Sequence, residues 1–164
     1  MKKLSVLFCA IALLFSSCSL IKETTFVEDN IAITLPAGFV EADGEKFDAF
    51  YVSSNYFVAY QAEDFEEFRE QNLDPAAISV EEYAAASFRS LTSAAEPYEE
   101  QGLLLTEYTA TTADGEPSLY LVAAIKTDGA FVTVQFGCGE AQFEKQKPEF
   151  LAIAKTVTYV PDRD

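Results

Sequence analysis

The chain has 164 residues, of which 49% are apolar, 27 are acidic, 11 are basic and none is histidine or tryptophan, giving a net charge of −16. This balance argues against nucleic-acid partners, since proteins that bind phosphate backbones need a basic surface, and the apolar content argues against general disorder. Without histidine the chain lacks the commonest general base at neutral pH, and serine–histidine and cysteine–histidine mechanisms are excluded.

The N-terminal segment carries an export pattern. Lys2 and Lys3 precede an apolar run over residues 4–15, and Ser16-Ser17 leads into Cys18. A run of this length is too short for the roughly 20 residues of a membrane-spanning helix. The segment resembles a bacterial lipoprotein signal peptide, which implies cleavage before Cys18 and a diacylglyceryl group on its thiol. An ordinary secretory signal with an incidental cysteine, or an uncleaved anchor, are the alternatives.

The pattern predicts four segments along the chain. Residues 1–17 form the signal peptide, 18–25 a lipidated tether, 26–160 a single α+β domain and 161–164 a tail. Loss of Lys2 and Lys3 with the leader changes the net charge from −16 to −18. Because an anionic bilayer repels such a chain, we expect the lipid on Cys18 to hold the protein at the cell membrane or outer envelope, facing outside the cytoplasm.

Cysteine usage predicts a fold held by packing alone. Cys9 leaves with the leader and Cys18 is acylated, so Cys138 is the one free thiol and no disulfide can form within the mature chain. Between Gly137 and Gly139, Cys138 is either a reactive thiol or a small residue of a core strand. The core interpretation is favoured because nearby cations are scarce, and the glycines are then expected to mark a β-bulge.

The first half of the domain reads as strands followed by a helix. Strands are predicted at residues 26–27, 31–35, 47–52 and 56–61, where apolar residues alternate or cluster between turn residues. Ser79 and Glu82 have the spacing of a capping box, which predicts a helix from there to about residue 91.

The second half reads as a three-stranded meander followed by a helix and a strand. The strands are predicted at residues 103–111, 119–126 and 130–138, with Asp128-Gly129 as a tight turn in which both residues take positive φ. A helix over residues 143–154 is expected to break or restart at Pro148, and a last strand covers 155–160. This order predicts an α+β fold, an antiparallel sheet sandwiched by helices.

Three local patterns carry a family resemblance: the strand and turn at residues 31–39, the capped helix start at 79–83 and the helix-to-strand passage at 153–157. They resemble the fold shared by the PsbP subunit of photosystem II, the Ran-binding nuclear import factor of yeast and bacterial DcrB-like lipoproteins. The resemblance covers nearly the whole mature chain and implies a PsbP-like domain with a non-catalytic accessory or binding role. Function itself does not follow from a shared fold.

An acidic run is the one candidate for a metal site. It contains Glu63, Asp64, Glu66, Glu67 and Glu70. Calcium sites use carboxylates of this kind, but no Asp-x-Asp-x-Asp-Gly loop is present, and the spacing favours a solvated helix face. We therefore expect no metal and no cofactor.

Aromatic residues are dense in one region of the chain. They are Phe47, Phe50, Tyr51, Tyr56, Phe57 and Tyr60. They could line a pocket or a partner surface, although alternation along strands places half of them in the core. Core is therefore the default, although Tyr51 and Tyr56 lie beside a turn, where exposure is the alternative.

The sequence thus predicts a lipid-anchored, non-catalytic accessory or binding domain at the cell envelope, with an envelope protein as its partner. The alternative is an extracytoplasmic binding protein for a small cationic or apolar ligand. An enzyme is the weaker interpretation. It would need two close carboxylates, as in glycoside hydrolysis, or Cys138 beside a cation.

Overall fold

The computed structural model describes residues 22–91, 94–112 and 115–161. Residues 1–21, and with them the predicted signal peptide and Cys18, lie outside this part, as do residues 162–164 of the predicted tail. The strands are β1 (Thr24–Glu28), β2 (Ile31–Leu35), β3 (Val40–Glu41), β4 (Ala49–Val52), β5 (Phe57–Asp64), β6 (Tyr98–Glu100), β7 (Leu103–Thr111), β8 (Pro117–Lys126), β9 (Ala130–Gly139) and β10 (Thr158–Tyr159). The helices are α1 (Phe65–Glu70), α2 (Val80–Ser87) and α3 (Glu140–Ala154), and a 3-10 turn, Phe88–Ser90, follows α2.

The strands form two antiparallel sheets. The larger has seven strands in the order β3-β4-β5-β9-β8-β7-β6, and the smaller has the order β1-β2-β10. The small sheet joins the two ends of the domain, since β10 pairs with β2 through Thr158 and Tyr159.

Alternate residues of the central strands enter two separate cores. In β9, Val132, Val134 and Phe136 pack against α3 and the small sheet, whereas Phe131 packs against α1 and α2. The large sheet is therefore covered by α3 and the small sheet on one face and by α1 and α2 on the other. This arrangement confirms the predicted α+β class, with an antiparallel sheet between helices.

The predicted helix start at Ser79 is confirmed in detail. The Glu82 amide donates to Ser79 Oγ at 3.2 Å, and the Ser79 amide donates to Glu82 Oε2 at 2.9 Å, so both parts of the capping box form. The α-helix ends at Ser87 and the 3-10 turn continues the chain to Ser90.

The break expected at Pro148 is wrong. Helix α3 runs without interruption from Glu140 to Ala154 with Pro148 inside it. Phe143 on one side of the proline, and Phe150 and Leu151 on the other, are buried in the same core. Tertiary packing of both halves thus offsets the roughly 3 kcal/mol that a proline costs inside a helix.

The β8–β9 turn also differs from the prediction, because neither Asp128 nor Gly129 has positive φ. The Thr127 hydroxyl closes this turn, donating to the Ala130 carbonyl at 2.8 Å and accepting from the Ala130 amide at 2.9 Å. Left-handed hairpin turns lie instead between β1 and β2, where Asp29 and Asn30 have φ of 47° and 64°, and between β6 and β7, where Gln101 and Gly102 have φ of 54° and 79°. Asp and Asn tolerate this conformation better than other non-glycine residues.

The bulge expected at Gly137 and Gly139 is absent from the pairing of β9. Phe57 pairs with Gly137 and the register continues without a gap to Asp64 and Ala130. The β8 side is equally regular, with Tyr120 opposite Gly137 and Ser118 opposite Gly139. The glycines have other roles: Gly137 leaves room for neighbouring rings, and Gly139 is the N-cap residue of α3.

Candidate binding surface

Helices α1 and α2 cover only part of their face of the large sheet. They pack on Val122, Ala124 and Phe131, near the β8–β9 turn. Farther from that turn, the side chains of Phe50, Phe57 and Tyr120 on the same face remain half-buried. An open area of sheet thus lies beside α2.

Five aromatic rings cross this open area and are called here the aromatic stripe: Phe47, Phe50, Phe57, Tyr120 and Tyr108. Their neighbouring ring centroids are 6.0, 5.1, 5.8 and 4.6 Å apart in that order. The register explains the row, since Phe57 and Tyr120 both pair with Gly137, and Tyr108 pairs with Tyr120. At about 4.8 Å per strand, the stripe extends about 20 Å from β4 to β7.

Gly137 makes the stripe continuous. A Cβ atom at this position would overlap the ring of Phe57 and contact the ring of Tyr120. The absence of a side chain on β9 therefore lets the rings from β5 and β8 meet across the intervening strand.

A cleft of about 270 Å³ adjoins the stripe. Gln61, Thr133 and Gln135 of the sheet line it, together with Tyr83 of α2 and Phe47 of the β3–β4 loop. The Tyr83 hydroxyl donates to Glu63 Oε1 at 3.2 Å in the same cleft. Burial, and then the Glu63 carboxylate, raises the pKa of Tyr83, so this hydroxyl stays protonated.

A second cleft, of about 420 Å³, lies on the other side of Phe47 and is lined by Glu41, Asp43 and Phe50. Both clefts share Phe47 and Asp48. No Lys or Arg of the described residues lines either one, and Lys46 of the same loop contributes its carbonyl to a hydrogen bond from Gln61 Nε2. The two clefts beside the aromatic stripe are therefore lined by carboxylates and by no Lys or Arg of the described residues.

The predicted aromatic region divides between two faces. Phe47, Phe50 and Phe57 belong to the aromatic stripe, whereas Tyr51 and Tyr56 are 1% and 7% exposed in the core, as the default predicted and against the alternative that they are exposed. The reason is strand alternation, which places these tyrosines opposite the open face. Tyr60 is also in this core and donates its hydroxyl to the Glu28 carbonyl at 2.9 Å.

The predicted acidic run is divided between strand and helix. Asp64 caps α1, accepting from the Glu66 amide at 2.8 Å, and its other oxygen accepts from the Tyr159 hydroxyl at 3.2 Å. Glu66 and Glu67 lie in the first turn of α1, where negative charge favours the helix dipole. Within the described ranges no group of three or more acidic or cysteine side chains could hold a metal ion.

Cys138 lies in the core between the large sheet and α3, as the favoured interpretation predicted. Burial raises the pKa of its thiol above the ordinary 9.0. A thiol with so little thiolate is a poor nucleophile at neutral pH.

A polar cluster joins α3 to the far edge of the large sheet. Lys147 Nζ contacts Glu107 Oε1 at 2.9 Å, the Tyr98 hydroxyl at 3.0 Å and Glu100 Oε2 at 3.2 Å. Tyr98 also donates to Glu107. Burial alone would raise the pKa of Glu107, but the hydrogen bonds from Tyr98 and Lys147 outweigh it and lower that pKa. Lys147 is thus shared between two carboxylates, and the cluster ties α3 to β6 and β7.

Sequence reasoning missed Tyr108, Tyr120, Gln61 and Gln135 as surface residues. Their positions in the strands were predicted, but not the strand order β5-β9-β8-β7 that brings them into adjacent rows. Placing β5 beside β9 in the predicted sheet would have aligned these residues across neighbouring strands.

Known proteins resemble this chain in three-dimensional structure but not in sequence. No family model matches the sequence, and no curated protein matches it. Among solved structures, cyanobacterial PsbP from Synechocystis sp. PCC 6803 has 11% identity and a TM-score of 0.49, covering 87% of this chain and 95% of that one. Protein Mog1 has 11% identity and a TM-score of 0.49, covering 84% and 96%. LpqN of Mycobacterium tuberculosis, described as involved in cell envelope biogenesis, has 9% identity and a TM-score of 0.46, covering 85% and 91%.

These neighbours include the PsbP and Mog1 fold that the sequence resemblance named. At such identities the likeness concerns the fold, and no activity or partner comes with it. In the described part of the chain, no helix has the length and apolar character needed to cross a membrane.

Proposed function

We propose that this chain is an exported lipoprotein, anchored through a lipid on Cys18, whose domain is a non-catalytic binding module for a protein of the cell envelope. The observation that carries the binding role is the aromatic stripe, a row of half-buried rings on a sheet face that α1 and α2 cover only in part. Contiguous apolar patches of this kind mark interaction sites on soluble domains, and aromatic residues are enriched at protein interfaces.

Two features support a role other than catalysis. Cys138 is buried with a raised pKa, and Glu107 and Tyr98 are engaged in hydrogen bonds with each other and with Lys147 that tie α3 to the sheet. Neither offers an activated nucleophile or a free general base beside a cleft.

The alternative is a binding protein for a small cationic or apolar ligand, favoured by the cleft of about 270 Å³ next to the stripe. It ranks second because small-molecule pockets are usually apolar and of about 300–1,000 Å³. This cleft is lined largely by amide, hydroxyl and carboxylate groups such as those of Gln61, Thr133 and Glu63.

Two measurements test the proposal. Intact mass of the membrane-extracted protein, with and without globomycin, should reveal a diacylglyceryl group that depends on cleavage before Cys18. Cross-linking in membranes should then capture an envelope protein with the wild type and with Leu73→Ser, an exposed apolar residue elsewhere, but not with Phe47→Ser. Equal capture by both variants, or no specific partner together with a deletion that leaves the envelope unchanged, would contradict the binding role.

A further inference from the structure

We propose that the aromatic stripe and its two clefts bind an extended polypeptide segment bearing Lys or Arg side chains. This inference rests on the proposed function and names the chemistry of the partner. An extended segment of about six residues, at about 3.3 Å each, matches the 20 Å length of the stripe.

The rings supply the first part of the recognition. The half-buried faces of Phe50, Phe57 and Tyr120 are available to a partner. An aromatic face attracts a cation placed within about 6 Å, and the alkyl stems of Lys and Arg cover apolar surface while their charged ends remain in water. One basic side chain can therefore satisfy both the ring and a neighbouring carboxylate.

The carboxylates supply the second part. Asp43 lines one cleft, Glu63 lines the other and Asp48 lines both. Glu41 also borders the first of these clefts, but it pairs with Tyr51, so its side chain projects to the opposite face of the sheet. Asp48 accepts from the Ala62 amide at 2.6 Å and Glu63 accepts from Tyr83, but neither forms an ion pair. Across residues 22–91, 94–112 and 115–161 the ion pairs found are those of Lys147, so none of these carboxylates is held in an ion pair with a Lys or Arg of that part of the chain.

The same fold already uses this combination twice with its own lysines. Lys147 Nζ lies 5.1 Å from the Tyr98 ring centroid and bonds to Glu107. Lys126 Nζ lies 5.2 Å from the Phe131 ring centroid and donates to the carbonyls of Pro75 and Ile78 at 2.8 and 2.7 Å. The aromatic stripe and its clefts have the same combination of aromatic rings and oxygen acceptors as these two lysine sites. No lysine or arginine of the described residues lines the clefts.

The negative charge of the chain also disfavours other binding partners that could cover this face. A second copy of this chain, an anionic lipid surface and a nucleic acid would each bring like charge against a mature chain of net charge −18. A basic segment gains from the same field in both affinity and association rate.

The test uses the membrane-extracted protein in a non-ionic detergent and capped six-residue peptides measured by calorimetry. Alternating Arg and Leu is the probe, and alternating Ser and Leu or Glu and Leu are the comparisons. Asp43→Asn combined with Glu63→Gln, whose amide oxygen can still accept from Tyr83, should weaken binding of the Arg–Leu peptide about fivefold, as expected for two exposed charge contacts. Glu99→Gln with Glu144→Gln removes the same net charge at exposed sites outside the two clefts and should leave affinity unchanged.

The ring contribution is tested with Phe47→Ser, which should weaken binding at least threefold, against Leu73→Ser, which should not. Affinity for the Arg–Leu peptide should also fall as salt rises from about 50 to 300 mM, because screening acts on exposed charges. Equal affinity for the Ser–Leu peptide, or for choline in place of a peptide, would overturn the inference.

The two proposals fail differently. Cross-linking to a partner that is lost in Phe47→Ser, combined with no preference for the Arg–Leu peptide, would leave the binding role standing and reject the basic segment. No partner, no peptide binding and no envelope phenotype on deletion would reject both.

Discussion

The ring of Tyr159 occupies the space where a side chain at Gly129 would begin. A Cβ atom at Gly129 would overlap this ring, which comes from the short last strand and lies against the β8–β9 turn. The Tyr159 hydroxyl donates a hydrogen bond to Asp64 Oδ2 at 3.2 Å, and the Gly129 carbonyl accepts one from the Phe65 amide at 2.8 Å. One glycine thus links the end of the chain, the central hairpin and the start of α1.

Gly129→Ala should destabilise the domain. The new methyl group must displace the Tyr159 ring, and overpacking of this kind costs about 1–3 kcal/mol. Gly139→Ser is the matched control because space at Gly139 is open and serine is a favourable N-cap residue for α3. Urea unfolding of both variants checks the prediction, and an unchanged midpoint for Gly129→Ala would contradict it.

Pro148→Ala should stabilise the protein by about 1–3 kcal/mol, because alanine restores the amide that a proline removes from a helix interior and avoids its clash with the preceding turn. Pro148 is exposed, so no core contact is lost. Lys145→Ala on the same helix is the control and should change the free energy of unfolding by less than about 0.5 kcal/mol. Thermal melts by circular dichroism provide the measurement.

Lys147→Met should cost about 1–3 kcal/mol, since it removes the charged hydrogen bonds to Glu107, Glu100 and Tyr98 while keeping the aliphatic stem. Lys145→Met, on an exposed side chain of the same helix, should be nearly neutral. Equal stability of the two variants would indicate that the cluster contributes nothing to holding α3 on the sheet.

The decrease in the free energy of unfolding caused by Lys147→Met should depend on pH. Because the pKa of Glu107 in the folded state lies below 4.5, the unfolded chain binds more protons than the folded chain near that pH. The stabilisation is therefore complete above pH 4.5 and is lost as pH falls through the lower, folded pKa. The difference between wild type and Lys147→Met should be constant at pH 6–7 and should shrink below about pH 4.

Tyr56→Phe and Tyr60→Phe should have opposite effects although each removes one buried hydroxyl. The Tyr56 hydroxyl is buried, and although burial and then the Glu149 carboxylate raise the pKa of Tyr56, the geometry gives it no hydrogen bond in the described part of the chain, so its removal should be neutral or stabilising. Tyr60→Phe leaves the Glu28 carbonyl without its donor and should cost about 1 kcal/mol. Chemical denaturation of the pair checks the sign of each change.

Thiol titration tests both the burial of Cys138 and acylation at Cys18. The native mature protein should react slowly with a disulfide reagent at pH 8, because burial raises the pKa of the Cys138 thiol and excludes the reagent. In urea, one thiol per chain should react fully if Cys18 carries its lipid. Two reactive thiols would show that Cys18 is retained and unmodified.

Local sequence patterns predicted the elements well where the pattern and the packing agree. The capping box at Ser79 and the strand at residues 103–111 form as expected. Pro148 and the Asp128-Gly129 turn did not follow their patterns. Packing of Phe143 and Phe150 in the core keeps the helix continuous through Pro148. The hydrogen bonds of the Thr127 hydroxyl set the conformation of the Asp128-Gly129 turn.

The candidate surface was only partly predictable because it depends on register. The density of aromatics near Phe50 was visible in the sequence, but the partners Tyr108 and Tyr120 lie more than fifty residues away along the chain. Gly137 was interpreted as a bulge when its role is to let two rings meet. Such a role depends on the side chains of neighbouring strands, which a local pattern does not contain.

The position of β1 fixes how a lipid-anchored domain would stand on its membrane. β1 starts at Thr24 in the small sheet, on the side of the large sheet opposite the aromatic stripe. Thr24 follows Cys18 by six residues along the sequence, a tether of about 20 Å at full extension. With such a tether, the small-sheet side would face the lipid headgroups. The aromatic stripe would then face away from the membrane, where it is accessible to molecules in the adjoining compartment.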